Sequence, residues 1–302
     1  MIAFSTRRSL ITPALEQPTP SRPLWQAGHR DHQIVKQIEL AIKTCPTATN
    51  HLRATQRVYF LTVDLTDVEQ ASTLTRWGKE SSALLLAGAK ILDPAGFDIN
   101  DPKAEVPVLA ERLERAERWR TFLRTKGVSG PIPKPVRCLD ETMLQDEQIV
   151  GLRMVTLALV AFGAYAASEH SQLPDPDIFP RAKAAMTNRE AERYPARNNA
   201  QESAECLKEL AWATKRAHLD WPSRPGDLLE IVGQILTRDE NSFIAETKLR
   251  PAEELLDEHE RMSQLTAAIA TTAKINPEVV KARTKTMAWL TDRSRSWDEV
   301  ID

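Results

Sequence analysis

Glycine is scarce in this chain, ten in 302 residues, and no Gly-x-Gly-x-x-Gly or Walker-type run occurs anywhere. A phosphate-cradling loop needs such glycines so that backbone amides can close on the ligand, which counts against the common nucleotide-binding folds. Cysteine is scarcer still. Cys45, Cys138 and Cys206 are odd in number and far apart, so neither a disulfide framework nor a Cys-x-x-Cys metal knuckle is available, and a reducing cytoplasm is the expected compartment. Charge of one sign is not in excess: 40 Lys and Arg face 42 Asp and Glu. Near neutrality leaves a soluble globular protein as the default. Long apolar runs are lacking as well. The most apolar stretch, Met154–Ala167, falls short of the roughly 20 residues that span a bilayer and reads as a buried core helix. Arg7-Arg8 is followed by no apolar segment of the kind a signal peptide needs.

What is present falls into three regions, and the fold class they imply is mostly α (α+β), a small N-terminal α/β unit packed on a C-terminal helical domain. Residues 1–30 contain Thr12-Pro13 and Pro18-Thr19-Pro20-Ser21-Arg22-Pro23 without any period, which predicts an irregular tail. Residues 31–101 mix periods. Ile34, Ile38, Ala41 and Ile42 have helical spacing up to Cys45-Pro46, whereas Arg57–Asp64 is β-branched and aromatic and reads as a strand. A second helix is predicted from Val68 to about Ala87. Pro94-Ala95-Gly96 then separates two short extended pieces, Lys90–Asp93 and Phe97–Ile99, as a small hairpin would.

Residues 102–302 are expected to be nearly all helix. Between Glu105 and Lys126, Leu109, Leu113, Ala116, Phe122 and Leu123 form an apolar stripe, with Glu111/Arg115 and Glu114/Arg118 as i,i+4 pairs opposite it and Gly127 as the stop. Further helices are expected over Asp146–Ser168, Arg181–Arg193, Asn199–His218, Gly226–Leu236 and Ala252–Thr272, and a last one opens at Asn276-Pro277-Glu278 with an Asn cap and proline in the first turn. Leu173–Asp177 and Asp220–Pro225, rich in proline and aspartate, are the connecting loops.

The C-terminal third carries a legible string: Leu249-Arg250-Pro251, Glu254-Leu255-Leu256-Asp257, Val279-Val280, Arg283, Trp289-Leu290 and Trp297-Asp298-Glu299-Val300. Upstream, Gly127-Val128, Pro131, Pro133, Pro135, Val150, Gly151 and Arg153 precede a helix around Trp212. Together these resemble the bacterial family called domain of unknown function 4272 over roughly residues 113–300. The resemblance implies no settled chemistry. Gln145 stands where the family usually has an arginine. Where relatives show Tyr-Arg-Leu-His-Trp-Ala, this chain has Ser263-Gln264-Leu265-Thr266-Ala267-Ala268, so a reaction carried by that set should be lost here.

Site candidates follow from charge. Asp239–Glu260 is dominated by acids, and with Leu255 and Leu256 turned inward, Glu253, Glu254, Asp257, Glu258 and Glu260 are expected to offer an acidic helix to a basic protein surface. Arg153, Arg250 and Arg283 read as structural polar residues. Arg153, beside an apolar helix, should pair internally with Glu254, Asp257 or another acid of the C-terminal helices. Trp289 and Trp297 read as core and clamp. His218, Asp220 and His259 lack a third ligand at metal-binding spacing, so no metal and no cofactor are expected. In the basic stretch from Lys103 to Arg137, Arg112, Arg115 and Arg118 already have glutamates within four positions, which discounts nucleic acid, and no membrane is expected. The reading is therefore a non-enzymatic bacterial cytoplasmic protein that binds another bacterial protein, such as an immunity or accessory factor. The alternative is a hydrolase-like enzyme with a polar site from Arg153, Glu254, Asp257 and Arg283.

Overall fold

The computed structural model describes residues 2–5, 22–23, 59–62, 83–88, 90–93, 95–104, 110–139, 142–194, 200–227 and 229–301. It divides into two compact units, Met1–Glu114 with Arg137–Thr142, and Arg115–Val136 with Met143–Asp302. The predicted helix over Ile34–Cys45 and Leu109 of the apolar stripe lie outside the described residues.

The first unit holds a five-stranded antiparallel sheet in the order β2-β3-β1-β4-β5, formed by β1 (Ile2–Ser5), β2 (Arg22–Pro23), β3 (Tyr59–Thr62), β4 (Ala83–Ala87) and β5 (Lys90–Leu92). The middle strand is β1, with Phe4 opposite Phe60 on one side and Leu84 on the other. Ile2–Ser5 and Arg22–Pro23 thus belong to the sheet and not to an irregular tail, because Ile-Ala-Phe-Ser is short, apolar and free of proline. The strand expected over Arg57–Asp64 is present as β3. Ala83–Ala87, placed by the sequence at the end of a helix, is a strand instead: Ala83 to Leu86 are all buried, and a continuous apolar run carries no period that separates strand from core helix. The predicted hairpin is present, with Ile99 N donating to Ile91 O at 2.9 Å. The Asp93 carboxylate accepts from Ala95 N and Phe97 N, which fixes the turn that Gly96 completes at φ +92°.

The rest is helical: α1 (Ala110–Thr125), α2 (Glu147–Ser168), α3 (Pro180–Ala184), α4 (Asn188–Arg193), α5 (Ala200–Ala213), α6 (Leu229–Leu236), α7 (Glu240–Ala245), α8 (Ala252–Ala267), α9 (Pro277–Leu290) and α10 (Asp298–Ile301). The hub is α2. Asp146 caps it by accepting from Gln148 N at 2.9 Å, and its middle is buried on every side, from Val155 to Ala161, against α3, α5, α6 and α7. At 22 residues it is long and apolar enough to cross a bilayer, but 72% of its most apolar window is buried within the protein. Gly151 admits α7 at close range, since a Cβ there would stand 2.6 Å from Thr247 Oγ1 and 3.1 Å from Ile244 Cα. Around this hub α5 packs on α9, and α9 on α8.

Two features depart from the periodicity. In α1, Leu113 and Phe122 are 51% and 42% exposed, while Arg115, Ala116 and Leu123 are buried, so the inward face is rotated from the predicted stripe. Arg115 turns inward and donates to Val136 O at 2.6 Å, and Arg118 reaches Asp257 of α8. The helix expected over Arg181–Arg193 is broken into α3 and α4, because Thr187 and Glu190 form a capping box that starts a new helix. Gly127 does stop α1, at φ +71°.

Candidate functional site

Helix α5 repeats glutamate at i and i+4, Glu205 and Glu209, which puts both carboxylates on one face. That face turns inward, leaving Glu205 1% and Glu209 0% exposed. Opposite them Arg283 of α9 is also 1% exposed. Its Nε and Nη2 both donate to Glu205 Oε2, at 3.0 and 2.8 Å, and its Nη1 donates to Asp220 O at 3.0 Å. The other oxygen of Glu205 accepts from Gly226 N at 2.7 Å. Glu205 is therefore satisfied on both oxygens. Glu209 is not: neither carboxyl oxygen has a hydrogen-bond partner, and the nearest guanidinium atom, Arg283 Nε, lies 3.9 Å away.

Helix α8 completes the cluster. Glu258 and Arg261 stand one turn apart, and Arg261 donates from Nε and Nη2 to the two oxygens of Glu258, the first at 2.7 Å. Burial pushes the Glu209 carboxyl well above the usual carboxylate range, and the negative charge of Glu258 adds to this against the opposing pull of Arg283 and Arg261. Burial also raises Glu258, with Arg261 opposing it. Glu205, Glu209 and Arg261 were not singled out as site residues in the sequence, and Asp220, weighed there with His218 as a metal ligand, contributes only its backbone carbonyl here. The i,i+4 glutamates on a helix that also carries Cys206, Leu207 and Leu210 were the available signal.

The residues chosen from sequence are distributed differently. Glu253 and Glu254 are exposed at the start of α8, Glu254 paired with Arg250 at 3.0 Å. Arg250 also donates to Trp212 O at 2.7 Å and lies over the Trp212 ring. Asp257 is half-buried against Arg118. Glu258 and Glu260, expected at the surface, are 6% and 0% exposed. The reason is that α8 is covered on two flanks: α9 lies along one, and the segment following α1 crosses the other, where Val136 N donates to Glu260 at 2.7 Å. Gln264 donates to Glu260 as well, at 2.9 Å, so part of the Ser263–Ala268 string is committed to the interior.

Arg153 does pair internally, but with Glu190 of α4, at 2.9 Å, and not with Glu254, Asp257 or any acid of the C-terminal helices. Its second nitrogen donates to Ala185 O, and the guanidinium lies 5.1 Å from the Trp297 ring centre. Trp289 and Trp297 are both buried and meet edge to face at 5.0 Å. Gln145 donates its amide to the carbonyls of Trp289, Asp292 and Arg295. The four residues of the hydrolase-like alternative are not brought together: Arg283 is sealed with Glu205, Arg153 is with Glu190, Asp257 is with Arg118, and Glu254 lies outside with Arg250.

A cavity of about 30 Å³ is bounded by Leu157, Thr187, Glu190, Glu202, Cys206 and Trp297, room for about one water molecule. Burial pushes the Cys206 thiol up to about 12, so at neutral pH it stays a thiol and a poor nucleophile. His259 Nδ1 is bonded to the Thr291 hydroxyl at 2.8 Å, and among the described residues no three His, Cys, Asp or Glu side chains gather as metal ligands.

At the surface of the helical unit, the Arg118–Asp257 pair joins α1 to α8. Phe122, one turn beyond Arg118, is 42% exposed, stands edge-on to Trp119 at 5.5 Å and carries the Lys126 ammonium over its ring. An exposed aromatic, an arginine and the exposed carboxylates Glu253 and Glu254 thus occupy neighbouring helices.

A family model described as a domain of unknown function, DUF4272, matches residues 115–300. No curated protein and no solved structure matches the chain.

Proposed function

We propose a binding role for this chain, which belongs to the family of the domain of unknown function DUF4272: a bacterial cytoplasmic protein that holds another bacterial protein, as an immunity or accessory factor does. The observation that carries this reading is the surface at α1 and α8, where the Arg118–Asp257 pair links α1, which exposes Phe122 one turn on, to α8, whose first turn exposes Glu253 and Glu254. Aromatic and arginine anchors bordered by charge are the composition of interface hot spots. Glu253 and Glu254 lie in the first turn of α8, have no share in the core and are open to a basic partner. Glu258 and Glu260, being buried, drop out of this surface, and Phe122 enters it.

The test is affinity capture from the native host, with wild type, Glu253→Lys/Glu254→Lys and Phe122→Ala compared at low and high salt. A partner retained by wild type at low salt, weakened by salt and lost from both variants supports the reading. Retention of the same proteins by all three forms, with helical circular dichroism unchanged, removes this surface from the interface.

A further inference from the structure

We propose that Glu205, Glu209, Glu258, Arg261 and Arg283 form a proton switch buried between α5, α8 and α9, with Glu209 as its proton-carrying member. The argument starts from charge balance. Three carboxyl groups share one buried space with two guanidinium groups, and arginine keeps its charge at any ordinary pH. The cluster is neutral only when one carboxyl is protonated. Geometry decides which. Glu205 takes two bonds from Arg283 and one from Gly226, and Glu258 takes two from Arg261, so both are built as carboxylates. Glu209 takes none, at 0% exposure. An ionised carboxylate without hydrogen bonds in such a place would carry its full desolvation cost, whereas a neutral acid carries far less.

The charged groups facing Glu209 are Glu205 on its own helix, Glu258 and Arg261 on α8, and Arg283 on α9. Lys208 is directed instead to Asp220, at 3.4 Å, and the buried residues of α2, which also packs on α5, include no titratable side chain. Loss of the proton leaves one uncompensated negative charge among these helices. Its relief is hydration, which requires α5 to part from α8 and α9. Since the folded chain holds this proton where the unfolded chain releases it, above about pH 4.3, folding weakens as pH rises from there, until Glu209 ionises in the folded protein too. The device loosens the α5–α8–α9 seam toward alkaline pH and tightens it toward acid.

Two measurements test it. The melting temperatures of wild type and Glu209→Gln are followed against pH. The neutral isostere is expected to melt about 5 °C higher near pH 7.5 and to converge with wild type toward about pH 4.3, and parallel curves would overturn the proposal. Infrared or carbon-13 spectra of the full wild-type chain, labelled at glutamate carboxyls, are expected to keep one protonated carboxyl at neutral pH. That signal should vanish in Glu209→Gln if the variant folds. A spectrum with every carboxyl ionised at neutral pH, or a protonated signal that persists in the folded variant, would refute the assignment.

Discussion

Arg153 and Arg283 are both largely withdrawn from water, yet their surroundings give them different weights. Arg283 and Glu205 are 1% and 2% exposed as side chains, and without Arg283 the carboxylate keeps one backbone amide in a dry space already crowded with acids. Arg153 and Glu190 are 11% and 9% exposed, and Glu190 keeps the Thr187 amide of its capping box. Removing one partner of a buried pair costs about 3–5 kcal/mol. Arg283→Met is therefore expected near the upper end and Arg153→Met near about 3 kcal/mol, read as shifts in urea midpoint. Equal stabilities of Arg153→Met and wild type would show that the Glu190 pair does not stabilise the fold. That Arg153 has an internal partner could be argued from the apolar helix it sits on. Which acid it meets could not, because Glu190 lies 37 positions away and is reached only through the path of the chain.

Elements were legible where local chemistry alone sets them. Asn276 accepts from the amides of Glu278 and Val279 ahead of Pro277, as the Asn-Pro-Glu order predicts, and Asn276→Ala should lose about 1 kcal/mol in chemical denaturation. No loss would mean that the Asn276 N to Pro222 O bond, at 2.7 Å, holds the turn by itself. The long apolar helix, the strand near Tyr59 and the Gly127 stop were legible for the same reason. Elements whose state depends on neighbours were not. Ala83–Ala87 is a strand because β1 and β5 flank it, and Glu260 is buried because residues from beyond α1 lie across α8. The break between α3 and α4 had a readable signal in Thr187 and Glu190, masked by helical periodicity that runs through it. Of the candidate surface, Glu253, Glu254 and Asp257 were legible as acids on a helix. Phe122 was assigned to the core, since spacing fixes a stripe but not how far the helix is turned about its axis.

At the scale of the whole molecule, opposite carboxylate shifts bracket a pH optimum. Glu147 is held below the ordinary range by the hydrogen bond from Lys248 and the Leu249 amide, so its contribution is present at neutral pH and lost as pH falls through its folded value. Glu209 and Glu258 are raised, so their penalty grows as pH climbs above about 4.3. Glu147 is near the surface and its part is small. Unfolding free energy should peak on the acid side of neutrality, between about pH 4 and 6, and a maximum at alkaline pH in urea titrations would contradict the burial of these acids. The Trp297 ring has a further consequence, which lies in synthesis. It closes over Arg153 and meets Trp289, while Gln145 waits for the carbonyls of residues 289, 292 and 295. Helix α2 thus leaves the ribosome before its aromatic cover is made, and a nascent chain arrested before Trp297 holds that arginine only by Glu190 and the Ala185 carbonyl. Such arrested chains should be cut by added protease near α2, and resistance should appear only when the last turn has emerged.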